Sequence, residues 1–170
     1  KARASEPQHP GLSHLPRVII EVASDYKYLI HITPCGKNVI AKDLNVEQMY
    51  TLASHVVLAL IYMHSKGVVH QDLRLANVIE ADGNYVLIDL EEMACVNEVA
   101  DKESPLLAWG SEGEDFDAVS NQFNAKSDLY SVGLMLQGTL PCAEGAELAS
   151  ARQLRDYADG LMKKRVFICR

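Results

Sequence analysis

The chain is poor in the features that mark several broad function classes. Its four cysteines, Cys35, Cys95, Cys142 and Cys169, form no C-x-x-C pair. No Cys/His cluster has zinc-ligand spacing, so a structural zinc site is not expected. The cysteines read instead as reduced, partly buried thiols of an intracellular protein, cytoplasmic or nuclear. An excess of basic residues is also missing. Lys and Arg number 16 against 23 Asp and Glu, for a net charge of -7. That balance argues against a nucleic-acid binder and is what an ordinary solvated surface gives. The longest apolar run, Val56 to Met63, is too short to cross a bilayer, and the chain does not open on a signal peptide, so no membrane partner is expected. There is no internal repeat and no low-complexity tract. No Met opens the sequence, which therefore reads as a fragment or a processed product.

What is present is enough for one domain. The 170 residues are 48% hydrophobic, sufficient for a sizeable core. The clearest element is a helix from Asn45 to Gly67. Asn45 is placed to cap it, Gln48 completes a capping box, and Gly67 is a stop signal. Met49, Ala53, Val56, Leu60 and Met63 recur at helical steps along one face. His55 and His64 lie on the same helix without a metal-spaced partner and read as structural. A second apolar helix is predicted over Ala125 to Leu140, with Leu129, Val132, Leu136 and Leu140 on its buried side. A last one is predicted over Ala146 to Lys164, with basic residues at its C-terminal end.

The chain is organised around Val68 to Glu91, V-V-H-Q-D-L-R-L-A-N-V-I-E-A-D-G-N-Y-V-L-I-D-L-E. His70, Asp72, Arg74 and Asn77 precede a hairpin signal, with a turn at Asp82-Gly83-Asn84 between apolar runs. Asp89 ends the second run. A hairpin here folds the two ends of the stretch together, so that Asp72, Asn77 and Asp89 can converge on one point.

This pattern, H-x-D-L-x-x-x-N followed by an apolar strand ending in Asp, resembles the catalytic loop and metal-binding Asp of eukaryotic-type protein kinases. D-L-Y-S-V-G, from Asp128 to Gly133, is similar to the D-x-W-S-x-G of the central large-lobe helix of that family. The resemblance implies an α+β fold: a mainly helical kinase-like large lobe with small β hairpins and a truncated small lobe. It divides the chain into a linker (1–16), a remnant small-lobe hairpin and hinge (17–36) and the large lobe (37–170). It implies ATP and Mg²⁺ as cofactors. Asp72 would orient or accept the proton of the substrate hydroxyl, and Arg74 would offset charge on the transferred phosphoryl group. Asn77 and Asp89 would hold Mg²⁺ through oxygen. Ile32, Thr33, Pro34 and Cys35, in the hinge, would lie along the adenine. His70 would pack beneath the Asp89 turn, and Asp128 would brace the catalytic-loop backbone from below.

The departures from the family are specific. Gln71 replaces the Arg that grips activation-loop phosphate in many kinases, and Leu90-Glu91 replaces Phe-Gly. An acid at position 91 is similar to the choline-kinase and aminoglycoside-phosphotransferase branch, and Glu91 could add a metal or solvent ligand. Ala108-Trp109-Gly110-Ser111-Glu112 is a poor match to A-P-E, and Ser104, Ser111 and Ser120 are candidate phosphorylation sites. No G-x-G-x-x-G and no V-A-I-K-like strand precedes the motif. Lys27 cannot replace the ATP-pairing Lys, because it lies in the hairpin that should follow it. Three readings follow. The first is the catalytic half of a Ser/Thr-type protein kinase acting on a protein substrate, with a further segment or chain completing the small lobe. The second is a non-catalytic module that binds a kinase or its substrate. The third is a small-molecule phosphotransferase.

Overall fold

The computed structural model describes residues 9–24, 27–97, 125–139 and 147–163. Helix α1, Val46–Ser65, is the element on which the others pack. It starts where its sequence directs. The Asn45 side chain accepts from the Gln48 N–H at 2.8 Å, and the Gln48 side chain accepts from the Asn45 N–H at 3.0 Å. This reciprocal cap satisfies two donors that a helix start leaves free. It stops at Gly67, whose φ of 72° is a left-handed conformation that costs glycine nothing. Met49, Ala53, Val56, Leu60 and Met63 are all buried, as their spacing predicts, with Leu52 and Ala59 beside them. By length and composition α1 could cross a membrane. Its apolar side is instead the centre of the core.

The neighbouring elements complete that core. Hairpin strands β5 (Val78–Ala81) and β6 (Asn84–Leu87) supply Val78, Tyr85 and Leu87. Helix α2, Ala125–Thr139, supplies Val132, Met135 and Leu136, and helix α3, Glu147–Lys163, supplies Leu154 and Ala158. Burying each large side chain contributes about 1.5–3 kcal/mol. Both helices fall where predicted within a residue at each described end. Leu140, Lys164, the three candidate phosphorylation sites and Glu112 lie outside the described residues.

The strands form small antiparallel sheets. β5 and β6 are in register from Val78↔Leu87 to Ala81↔Asn84. Asp82 (φ 52°) and Gly83 (φ 77°) make the two-residue turn with positive φ at both positions that suits the strand twist. Asn84, expected in the turn, opens β6. β3 (Lys37–Asn38) pairs with the other edge of β5, giving the order β3-β5-β6. β4 (Val68–Val69) pairs with β7 (Ala94–Cys95). β1 (Arg17–Ser24) and β2 (Lys27–Thr33) form the expected hairpin, from Arg17↔Thr33 to Ser24↔Lys27. One face of that hairpin carries Val18, Ile20, Ile30 and Ile32, all exposed. The observed mix of helices and small antiparallel sheets is the α+β class expected.

The N-terminal stretch differs from the expected linker. Pro10–His14 is a 3₁₀ turn packed on α1, with Gly11 and His14 buried. Its backbone approaches α1 so closely that a Cβ on Gly11 would lie 1.9 Å from the Leu58 carbonyl oxygen. Composition marks this stretch as a loop, whereas the packing depends on a distant helix with room for a hydrogen and nothing larger. Gly11→Ala should therefore lower stability by about 1–3 kcal/mol, the usual cost of overpacking, as read by urea unfolding. An unchanged midpoint would show that the turn does not pack this way.

Candidate active site

The site is built on the Asp128 carboxylate. Asp128 lies in the first turn of α2 and is 1% exposed. Its Oδ2 accepts from the His70 backbone N–H and from His64 Nε2, each at 2.9 Å, and its Oδ1 accepts from the Gln71 backbone N–H at 2.9 Å. Two adjacent amides can face one carboxylate because Gln71 is left-handed, with φ at 74°. The His70 side chain, fully buried, bonds through Nε2 to the Ile88 carbonyl at 3.0 Å. Ile88 is the residue before Asp89, so His70 sits beneath the Asp89 turn. His64 was not expected to take part. Its carboxylate partner is 64 residues away, and no local pattern announces it.

From this brace the chain runs into the polar cluster. Asn77 is buried and donates through Nδ2 to both the Asp72 carbonyl and Asp72 Oδ2, each at 2.9 Å. Arg74 approaches the same Oδ2 at 2.9 Å, with its own side chain half exposed. The Asp72 carboxylate is thus held between an amide and a guanidinium. The Asn77 carbonyl accepts from the Ile88 N–H at 2.8 Å, which sets Asp89 beside Asn77 across the end of the hairpin. Asp89 is exposed and left-handed, with φ at 63° and ψ at 62°. Leu90 packs partly against the core, and Glu91 is exposed in the 3₁₀ turn Leu90–Glu92.

The oxygens fit a hard divalent cation. Asn77 spends its Nδ2 on Asp72 and has its amide oxygen to offer, and Asp89 presents a carboxylate. Among the described residues no group of three His, Cys, Asp or Glu could hold a metal. An ion held here would draw on two protein oxygens and complete its shell from phosphate and water, the usual arrangement for Mg²⁺. A cavity of about 370 Å³ opens beside Asp72 and Arg74, walled by Leu73, Leu75, Leu134 and Met135. Ile32 and Thr33 end β2, and Pro34 and Cys35 begin the connection to β3 after a cis Thr33–Pro34 bond; all four are exposed. They are tied to the site through Gly36 and β3, which pack on β5. A Cβ on Gly36 would lie 2.6 Å from the Glu80 carbonyl oxygen.

No family model matches the chain. Comparison with curated proteins shows that it is similar to Ser/Thr protein kinases. It is 28% identical over 151 residues to Serine/threonine-protein kinase D of Synechocystis sp., covering 83% of this chain and 30% of that protein. It is 28% identical over 122 residues to Serine/threonine-protein kinase PAK mbt of Drosophila melanogaster, covering 66% of this chain and 18% of the relative. It is 26% identical over 145 residues to the hormonally up-regulated neu tumor-associated kinase of Homo sapiens, covering 79% and 20%. These likenesses support a kinase-like family. The chain spans 30% or less of the length of each of these relatives.

Replacing Asp128 by Asn puts an N–H₂ where an acceptor is needed. The mismatch should cost about 1–3 kcal/mol, and Asp128→Ala should cost about 3–5 kcal/mol. Urea unfolding checks the cost, and amide exchange at His70 and Gln71 checks its location. Protection of those two amides unchanged in Asp128→Ala would remove Asp128 from its bracing role.

Proposed function

We propose that this chain is the catalytic large-lobe portion of an ATP-dependent phosphotransferase of the protein-kinase type, with a Ser or Thr hydroxyl as acceptor. The observation that carries the reading is the Asp72 carboxylate, fixed at 2.9 Å from both Asn77 Nδ2 and the Arg74 guanidinium. Phosphoryl transfer asks for alignment and charge neutralisation more than for covalent chemistry. Asp72 orients the acceptor hydroxyl and takes its proton. Arg74, half exposed, turns toward the transferred phosphoryl group and offsets its charge. Asn77 and Asp89 hold Mg²⁺, which neutralises the phosphate oxygens of ATP when bound. The exposed backbone of Ile32–Cys35 would hold the adenine. His70 and Asp128 support the loop without touching substrate. The exposed thiols of Cys35 and Cys95 suit a reducing, intracellular setting.

A second reading is favoured by a specific observation. The aliphatic face of the β1–β2 hairpin is uncovered, with Ile20 at 63% exposure. That face suits a protein partner, either a segment completing the small lobe or a partner kinase bound by a non-catalytic module. The small-molecule phosphotransferase reading has no such support, and two of the relatives named above are Ser/Thr protein kinases.

The discriminating experiment is a thermal shift of this chain with ATP, with and without Mg²⁺. At a hundred times Kd, binding stabilises the fold by about 2.7 kcal/mol, which moves Tm by several degrees. The expected shift needs Mg²⁺ and vanishes in Asp89→Asn. In the full-length gene product, Asp72→Asn should lower phosphate transfer to Ser/Thr peptides by about 10²–10⁴-fold. A chain that never shifts with nucleotide, and a full-length protein indifferent to Asp72→Asn, would leave the binding-module reading.

A further inference from the structure

We propose that His14 and His55 form an acid-released latch that fastens the segment carrying the β1–β2 hairpin to α1 and β6. The argument starts from the edge of a sheet. β6 is the outer strand of β3-β5-β6. In a hairpin with a two-residue turn the flanking pair, Ala81↔Asn84, exchanges hydrogen bonds, and the next pair, Glu80↔Tyr85, does not. The Tyr85 N–H and C=O therefore point away from β5 and need partners elsewhere. Two histidines from two other elements provide them. The Tyr85 N–H donates to His55 Nδ1, from α1, at 3.1 Å. The Tyr85 carbonyl accepts from His14 Nδ1, from the Pro10–His14 turn, at 3.1 Å.

These partners fix the tautomers. A backbone N–H only donates, so His55 Nδ1 carries no proton. A carbonyl only accepts, so His14 Nδ1 carries one. The two rings stack at 3.9 Å between centroids and 20° between planes, and His14 is 6% exposed. A second proton on His55 can go only onto Nδ1. There it would face the Tyr85 N–H, remove the acceptor and set a cation against the His14 ring. Desolvation by burial and the neighbouring His14 hold the His55 pKa below its usual 6.5. Among the described residues, the titratable groups packed on His55 are His14 from the N-terminal turn and Tyr85 from β6. Glu80, across the strand pair, acts on Tyr85, whose hydroxyl is raised by burial and by that carboxylate. On the far side of the turn His9 meets Tyr62, with the Lys66 ammonium over the same ring.

The sign follows from linkage. The latched state resists the proton that the released state accepts near 6.5. The latch is therefore intact above that pH and weakens as pH falls through it. Only Leu15 and Pro16 separate the turn from β1, so release frees the hairpin, and with it the connection to β3, from its anchor on α1.

Amide exchange by NMR on this chain tests the latch, at about pH 7.5 and about pH 5.5 and corrected for intrinsic rates. Protection of the Tyr85 and Leu12 amides should fall by up to about tenfold on acidification, while the core amides of α1 hold. His55→Asn keeps an acceptor oxygen where Nδ1 stands and removes the titration. It should keep the protection seen at the higher pH and lose the pH dependence. The proposal is overturned by Tyr85 protection that does not change with pH, or by a dependence that persists in His55→Asn. Where that variant does not fold, the wild-type ring nitrogens decide. A His55 that titrates without loss of Tyr85 protection also overturns it.

Discussion

A carboxylate out of contact with water holds the site together. Burying it is costly unless donors replace the lost hydration, and Asp128 has three: two consecutive backbone amides and one imidazole. Bonds to an ionised acceptor are stronger than neutral ones, so this set repays much of the desolvation. It also does what secondary structure cannot do there. The loop after β4 is neither helix nor strand at His70 and Gln71, and its amides have no ladder to join. Asp128 satisfies both and in doing so fixes Gln71 in a left-handed conformation. The loop that carries Asp72 and Arg74 is thereby tied to α2, and through His64 to the end of α1.

The hairpin carries that order to the far side of the site. Asn77 and Ile88 share a hydrogen bond at its open end, and His70 bonds to the carbonyl of the same Ile88. A shift of the loop must therefore move the Asp89 turn, because both are fixed on one peptide. Gln71 and Asp89 are both non-glycine residues in the left-handed region, one on each side of the polar cluster. Such conformations cost of order 1–3 kcal/mol each and persist where surroundings over-determine them, a pattern that concentrates at functional sites. Buried Asn77 and half-exposed Arg74 then divide the work on Asp72. The amide, buried, sets its position, and the guanidinium, half exposed, offsets its charge from the solvent side.

The sequence made the local parts legible. The Asn45–Gln48 cap, the Gly67 stop and the Asp82-Gly83 turn each need only a few neighbouring residues, and each formed where those residues stand. The likeness to kinase motifs pointed to the loop and to Asp128 together, which periodicity alone would not have paired. Contacts set by distant packing were not legible. His64 reads as an ordinary helix residue until α2 brings Asp128 against it. Pro10–His14 has the composition of a linker, and the approach of Gly11 to the Leu58 carbonyl and the contacts of buried His14 make it part of the core. Pro34-Cys35-Gly36 reads as a break after β2, but a break does not say that the next strand, β3, will pair with β5.

The β1–β2 hairpin is the element whose apolar residues the described chain covers least. Two strands alone are marginal in water, and this pair turns Val18, Ile20, Ile30 and Ile32 to solvent from one face. Its order has to come from its ends. One end is the Pro10–His14 turn, seated on α1 and β6. The other is Gly36 and β3, seated on β5. Both anchors grip the same β5–β6 hairpin that positions Asn77 and Asp89. Among the described residues, the strand pair is therefore referenced to the two sides of the candidate site.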